Sequence, residues 1–116
     1  MTQRERIAKM LYTTVYPLYV SKVLKKNRTE DELIEVVKWL TGFSENELME
    51  FSKTPITFEV FFEKATLNPN AHLITGSICG YKVQEIEDPL IQKVRMLDKL
   101  VDELAKGKAL EKIKRG

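Results

Sequence analysis

The sequence predicts an all-α fold in which residues 1–116 form one compact helical domain that ends in a long C-terminal helix. One observation behind this prediction is a recurring capping box, a Ser or Thr followed three residues later by Glu, which marks helix starts. The box occurs at Thr2–Glu5, Thr29–Glu32 and Ser44–Glu47. A second observation is the segment Asp88–Gly107, where a capping Asp, a proline at the first helical position and a terminal glycine bracket an amphipathic stretch.

A third observation is a near-repeat within the chain. The segments Leu40–Leu48 and Ile78–Ile86 share the order apolar, small, Gly, aromatic, three variable positions, Glu and apolar. Glycine just past a helix adopts the left-handed conformation at low cost, and the apolar residue after it packs back on the last turn. The segments therefore predict two Gly-aromatic helix–turn–helix corners, at Gly42 and Gly80.

Hydrophobic spacing and these boundary signals together predict six or seven helices. Their expected ranges are 3–11, 16–27, 30–41, 45–52, 58–65, 69–79 and 89–106. The second helix is placed at Tyr16 because Pro17 suits the first helical position, where no N–H is needed. It is expected to bury Tyr16, Tyr19, Val20, Val23 and Leu24. A short basic tail, amphipathic through Leu110 and Ile113, follows the last helix.

The segment Leu73–Val83 has two interpretations. Ile74, Ile78 and Tyr81, together with two glycines, are also compatible with a short strand pair. Helix is preferred because the Gly80 segment matches the Gly42 segment, although a glycine inside a helix weakens that assignment.

Aromatic residues are assigned to the core. Phe58, Phe61 and Phe62 repeat at helical spacing with little interleaved positive charge, which favours core packing over a platform for stacking bases. Trp39 lies on the most apolar helix and is expected to be largely buried.

Composition limits the class of protein. With 43% hydrophobic and 31% charged residues, the chain resembles an ordinary soluble globular domain. Its 19 basic and 17 acidic residues are interspersed, which disfavours a dedicated nucleic-acid binder. A single cysteine fits a reducing cytoplasm, and no apolar run approaches the ~20 residues of a membrane span. The run 10–20 after a basic N-terminus superficially resembles a signal peptide, but Pro17 and Glu5 do not fit that pattern.

His72 and Cys79, each the only residue of its type, are the candidates for an enzyme. On one helix they would share a face, but seven residues at ~1.5 Å rise separate them by about 10 Å, beyond hydrogen-bond reach. We therefore assign no catalytic residue and expect a buried cysteine and a partly exposed histidine.

Charged clusters suggest two further sites, and neither is assigned. Lys22, Lys25, Lys26 and Arg28 could bind phosphate, but cations at a helix C-terminus ordinarily complement its carbonyl groups. Asp98 and Asp102, one turn apart, could bind a divalent cation, but neighbouring basic residues neutralise them. No cofactor-binding or metal-binding residue is therefore predicted.

The C-terminal helix has an apolar stripe with the 4-3-4-3 spacing of a coiled-coil seam. The stripe consists of Leu90, Val94, Leu97, Val101 and Leu104. It lasts barely two heptads, and flanking Ile91 and Leu100 widen it, which favours packing on the chain's own core. We expect a monomer whose last helix packs mainly on the third and fifth helices, around Leu33, Val37, Phe58 and Phe62. A dimer through the stripe is the alternative.

Several blocks resemble a known family. They are VYPLYVSK (15–22), WLTGFS (39–44), LNPN (67–70), ITGSICG (74–80) and IEDPLIQKVRMLDKLVDELAKGKALEKI (86–113). They are similar to the family of small bacterial proteins grouped as domain of unknown function 2200. The resemblance implies a complete, stand-alone cytoplasmic domain, with no established activity and no catalytic residues to transfer.

These observations favour a non-enzymatic interaction or regulatory domain in the cytoplasm. The first alternative is a nucleic-acid-binding helix–turn–helix protein, which the acidic residues after Gly42 and Gly80 disfavour because phosphates would repel them. The second is an enzyme that uses His72 and Cys79. The sequence is compatible with a protein partner and does not indicate its identity.

Overall fold

The computed structural model describes residues 2–115 and confirms the all-α class. The helices are α1 (Gln3–Lys9), α2 (Tyr12–Leu24), α3 (Glu30–Thr41), α4 (Glu45–Lys53), α5 (Phe58–Lys64), α6 (Pro89–Ala105) and α7 (Leu110–Ile113). Between α5 and α6 lie 3-10 turns at Ala71–Leu73 and Val83–Glu85, and strands β1 (Ser77–Ile78) and β2 (Tyr81–Lys82). The seven α-helices within residues 2–115 match the expected number but not the expected set, because α7 replaces the predicted helix over 69–79.

Helix starts are where the caps predict them. Thr29 and Ser44 each form both halves of a capping box, and the Thr57 side chain accepts a hydrogen bond from the backbone N–H of Val60. Asp88 accepts from two backbone N–H groups at the start of α6. Thr2 accepts from the Glu5 N–H, so it too caps its helix. Local sequence thus positions the start of five helices.

The start of α2 differs from the prediction. The helix begins at Tyr12 and contains Pro17 in its interior, although an internal proline removes one backbone hydrogen bond. Two long-range backbone hydrogen bonds fix the earlier start. The Tyr12 N–H donates to the Ile56 carbonyl at 2.8 Å, and the Phe58 N–H donates to the Met10 carbonyl at 2.8 Å. The longer helix also buries Tyr12, which offsets the lost bond.

The segment around Gly80 is a β-hairpin, so the preferred helical assignment and the second helix–turn–helix corner are wrong. Ile78 pairs with Tyr81 across a two-residue turn in which Cys79 has φ 52° and Gly80 φ 82°. Positive φ at both central residues is what a type I′ hairpin turn requires. The alternative strand pair is the correct interpretation.

The corner at Gly42 is confirmed. Gly42 has φ 72° and its N–H donates to the Lys38 carbonyl, which closes the end of α3. A Cβ at this position would also lie 2.9 Å from the Thr66 carbonyl oxygen. Glycine is therefore needed for backbone conformation and for close packing.

The buried residues form one continuous cluster with α6 at its centre. All five residues of the α6 stripe are buried, and α6 packs against α1, α2, α3 and α5. The predicted contacts with the third and fifth helices exist, but α1 and α2 also contribute. On the other side of the core, Phe61 stacks on Tyr12 with ring centroids 4.2 Å apart, which confirms the aromatic stripe as core.

Two burial predictions need correction. Trp39 is only partly buried and packs against the edge of the core. Leu24, which was expected in the core, is 54% exposed because the buried face of α2 follows Tyr12, Tyr16, Tyr19 and Val23.

Candidate functional site

His72 and Cys79 do not form the pair that a shared helix would have allowed. His72 lies in a 3-10 turn, where its Nδ1 is 2.9 Å from the Pro69 carbonyl oxygen. Cys79 lies at the exposed tip of the hairpin, which corrects its expected burial. No hydrogen bond joins the two side chains among residues 2–115.

The basic residues at the end of α2 do not form one phosphate-binding patch. Arg28 is largely buried, and its guanidinium contacts Glu32 and two backbone carbonyl groups. Lys22 forms an ion pair with Asp102 at 3.3 Å. The cluster therefore separates into contacts within the chain, while Lys25 and Lys26 are exposed.

The two α6 carboxylates are also used within the chain. Asp98 accepts hydrogen bonds from Tyr19 and Arg95, and Asp102 contacts Lys22 and Lys106. Within residues 2–115, no group of three or more His, Cys, Asp or Glu residues has the arrangement of a metal site.

A small crevice opens between α2, α3 and α4. Its lining comprises Tyr12, Tyr16, Glu30, Ile34, Val37, Glu45, Leu48, Met49 and Ser52. We call it the α2–α4 crevice. Its walls are mainly apolar, and its volume is about 100 Å³.

One end of the crevice is polar. The Tyr16 hydroxyl donates to a Glu30 carboxylate oxygen at 2.6 Å, which joins α2 to the first turn of α3. Burial, followed by the hydrogen bond to Glu30, raises the pKa of Tyr16 well above its usual range. Burial and then the Glu30 charge likewise raise the pKa of Tyr12. Both tyrosines therefore keep their phenolic protons to more alkaline pH than a solvent-exposed tyrosine does.

The rim of the crevice combines an exposed apolar side chain with acidic residues. Met49 is 51% exposed, whereas its neighbour Leu48 is buried in the wall. Glu45 lines the crevice from the first turn of α4, and Glu30 lines it from the first turn of α3. An apolar recess bordered by two carboxylates suits a ligand in which an apolar group lies next to a positively charged group.

The sequence assigned none of these residues to a site. The α2 wall was missed because Tyr12 was expected before the second helix, not inside it. One signal was available: Leu48 and Met49 are adjacent in a helix that carries three glutamates, and Met is common at adaptable binding surfaces.

Within residues 2–115, no helix combines the length and apolar character needed to cross a membrane.

Comparisons with known proteins identify the family but not an activity. No curated protein matches the chain. The chain is similar to an uncharacterised protein, SP1917, whose crystal structure superposes with a TM-score of 0.88 at 37% identity, over 97% of this chain and 92% of that one. The model of the family described as uncharacterised proteins conserved in bacteria (DUF2200) matches residues 6–115, and the chain therefore belongs to that family.

Proposed function

We propose that this protein is a non-enzymatic interaction domain that binds a segment of a protein partner through the α2–α4 crevice. The occupant is one aliphatic side chain with a Lys or Arg next to it. The observation that carries the proposal is an apolar recess of side-chain size, bordered by the carboxylates of Glu30 and Glu45.

Size supports a side chain over a cofactor. The crevice holds about 100 Å³, whereas pockets for drug-sized ligands measure about 300–1,000 Å³. An engineered apolar cavity of about 150 Å³ accepts benzene, so a recess somewhat smaller than that suits a branched aliphatic group. One such group anchored in a pocket is a common centre of binding energy in protein interfaces.

Charge supports a basic partner. The first turn of α3 contributes Glu30 and Asp31, and α4 contributes Glu45, Glu47 and Glu50, whereas the charge of Glu32 is already paired with Arg28. Complementary charge speeds association and selects among partners more than it adds affinity. A basic segment is therefore favoured over an acidic one with the same aliphatic anchor.

The test is a titration of isotopically labelled protein with two capped peptides of equal length, one with a Leu-Arg pair and the other with Leu-Glu. We expect the Leu-Arg peptide to shift resonances of Ile34, Leu48 and Met49 and to bind more tightly. Glu45→Lys should remove this preference. The matched control is Glu111→Lys, at an exposed glutamate on α7, and it should keep the preference.

Two results would reject the proposal. One is equal binding of the two peptides to the wild-type protein. The other is an absence of saturable shifts at the residues that line the crevice. Circular dichroism of each variant checks that a lost response does not reflect unfolding.

A further inference from the structure

A second concave region shares no lining residue with the α2–α4 crevice. It is formed by the segment after α5, the two 3-10 turns and one face of α6, and its volume is about 360 Å³. We call it the His72 pocket; the residues used in the argument are Leu67, His72, Ile74, Gln84, Gln92 and Met96. Its volume falls within the usual range for small-molecule sites.

Two glutamine side chains in this pocket are oriented by the backbone. The Gln84 Oε1 accepts from the Gly76 N–H at 3.1 Å, and the Gln92 Nε2 donates to the Val83 carbonyl at 3.1 Å. A backbone N–H can only donate and a carbonyl can only accept, so both amides have a defined orientation. Among residues 2–115, these bonds leave the Gln84 amide NH₂ as a free donor and the Gln92 carbonyl as a free acceptor.

His72 is oriented in the same way. Its Nδ1 lies 2.9 Å from the Pro69 carbonyl oxygen, which has no proton to give. Nδ1 must therefore donate, and in the neutral ring Nε2 is an acceptor. The pocket thus offers one amide donor, one amide acceptor and one imidazole acceptor on side chains whose other polar ends are already bonded.

The rest of the lining is uncharged, and it is apolar except for Asn68, whose side-chain amide is bonded to the Trp39 carbonyl and the Asn70 N–H. Ile74 and Met96 are buried in the floor, and Leu67 is partly buried. No Asp, Glu, Lys or Arg is among the lining residues of this pocket, all of which lie in the described part of the chain. An apolar floor that includes a thioether favours a flat aromatic ring, and an uncharged lining favours a neutral ligand.

We propose that the His72 pocket binds an uncharged planar heterocycle that carries an amino group next to a ring acceptor. The amino group donates one of its two hydrogens to Gln92 and the other to His72, and the ring acceptor receives the Gln84 amide proton. In protein–DNA complexes a single Asn or Gln amide supplies the same donor and acceptor to the ring nitrogen and amino group of adenine. Adenine is therefore the representative of this ligand class.

The experiment is a titration of isotopically labelled protein with adenine and with hypoxanthine, both at millimolar concentration. The two probes share size and shape, but hypoxanthine has a carbonyl in place of the amino group. We expect adenine to shift resonances of Ile74, Gln92 and Met96 saturably. Hypoxanthine should bind roughly fivefold to tenfold more weakly, about the contribution of one or two neutral hydrogen bonds.

Two variants test the polar groups. His72→Phe keeps a flat ring and removes the acceptor, and Gln84→Met removes the amide donor. Each should weaken adenine binding roughly fivefold. Gln3→Met is the matched control, because Gln3 contacts Tyr81 and lies outside the pocket, and it should leave binding unchanged.

Three results would overturn the proposal. They are an absence of saturable shifts at the pocket with adenine, equal binding of adenine and hypoxanthine, and wild-type affinity in His72→Phe. These outcomes are independent of the peptide titration, since the two sites have no residue in common.

Discussion

Arg28 donates a hydrogen bond from Nη1 to the backbone carbonyl of Leu104 at 3.1 Å, and the same nitrogen donates to the Lys108 carbonyl at 2.9 Å. The last carbonyl groups of a helix have no partner within it, and the negative end of its dipole attracts a cation. The Nε and Nη2 atoms of the guanidinium donate to the two carboxylate oxygens of Glu32. Arg28, in the loop after α2, thus connects the start of α3 to the end of α6.

This arrangement predicts that Arg28→Ala lowers the free energy of unfolding by about 2–3 kcal/mol, the scale of charge-assisted hydrogen bonds at a largely buried position. Arg28→Lys keeps the charge without the planar fork, so it should restore only part of the loss. Urea unfolding followed by circular dichroism measures both changes.

The exposed neighbours provide the control for Arg28. Lys25→Ala and Lys26→Ala should each change the free energy of unfolding by less than about 0.5 kcal/mol, as is usual for exposed surface positions. A loss of equal size at all three positions would contradict a specific role for Arg28 and indicate a general effect of charge.

Features set by short stretches of sequence were predictable. The caps at Thr29, Ser44 and Asp88 depend on residues two or three positions away, so they could be inferred without tertiary structure. The glycine terminator at Gly42 is equally local in its backbone conformation. The contact between this corner and Thr66, by contrast, depends on a segment that returns from far along the chain.

The second prediction separates these two roles of Gly42. Gly42 and Gly107 both have positive φ after a helix, at 72° and 93°. Alanine at either position should lose roughly 1–2 kcal/mol, because a side chain disfavours left-handed backbone. At Gly42 the new Cβ also meets the Thr66 carbonyl oxygen at 2.9 Å, whereas at Gly107 it meets no described heavy atom within 4 Å.

Gly42→Ala should therefore lose about 1–3 kcal/mol more than Gly107→Ala, which is the usual range for overpacking. Thermal and urea unfolding of the two variants measure the difference. Equal losses would show that Thr66 moves away freely and that the close contact has little energetic weight.

Long-range contacts explain where the sequence was misleading. The sequence pattern around Gly80 matches the one around Gly42, but Gly80 lies in a hairpin turn and Gly42 ends a helix. The same glycine conformation serves both structures, so the local pattern could not separate them. The α2–α4 crevice could not be predicted either, since Tyr12 joins its wall from a helix start that long-range bonds to the Ile56 segment hold in place.

The third prediction concerns alkaline pH. Burial raises the pKa of Tyr12, Tyr16 and Tyr19 above the unfolded value of 10.0, and the nearby carboxylates Glu30 and Asp98 raise it further. The folded state therefore holds these protons more tightly. The corresponding stability is fully present below pH 10 and is lost progressively above it.

In a Tyr81→Phe background, the only remaining tyrosines are these three. Tyrosinate absorbance should then rise together with the loss of circular dichroism. Adding Tyr16→Phe should reduce the slope of unfolding free energy against pH by up to about 1.4 kcal/mol per pH unit. Tyrosinate formation in a protein that keeps its helical signal would contradict the assigned burial.

The fourth prediction is that duplex DNA binds weakly or not at all at physiological salt. The helix after the confirmed corner, α4, exposes Glu45, Asn46, Glu47 and Glu50, which phosphates would repel. Fluorescence anisotropy with a labelled duplex measures this. Sub-micromolar affinity that falls steeply with salt would contradict the prediction and direct attention to Lys22, Lys25 and Lys26.

The last prediction concerns the α6 stripe and the state of association. Leu97 is fully buried within a single chain, so a dimer through the stripe would have to displace the chain's own core. We therefore predict a monomer. Leu97→Asp should unfold it because the change buries an unpaired charge, and Leu97→Ala should lower the free energy of unfolding by about 2–5 kcal/mol.

The matched control is Leu18→Asp, at a leucine of α2 that is 65% exposed, and it should leave the protein folded. Light scattering and circular dichroism together decide the matter. A wild-type dimer that Leu97→Asp converts into a folded monomer would identify the stripe as an interface and would disprove this assignment.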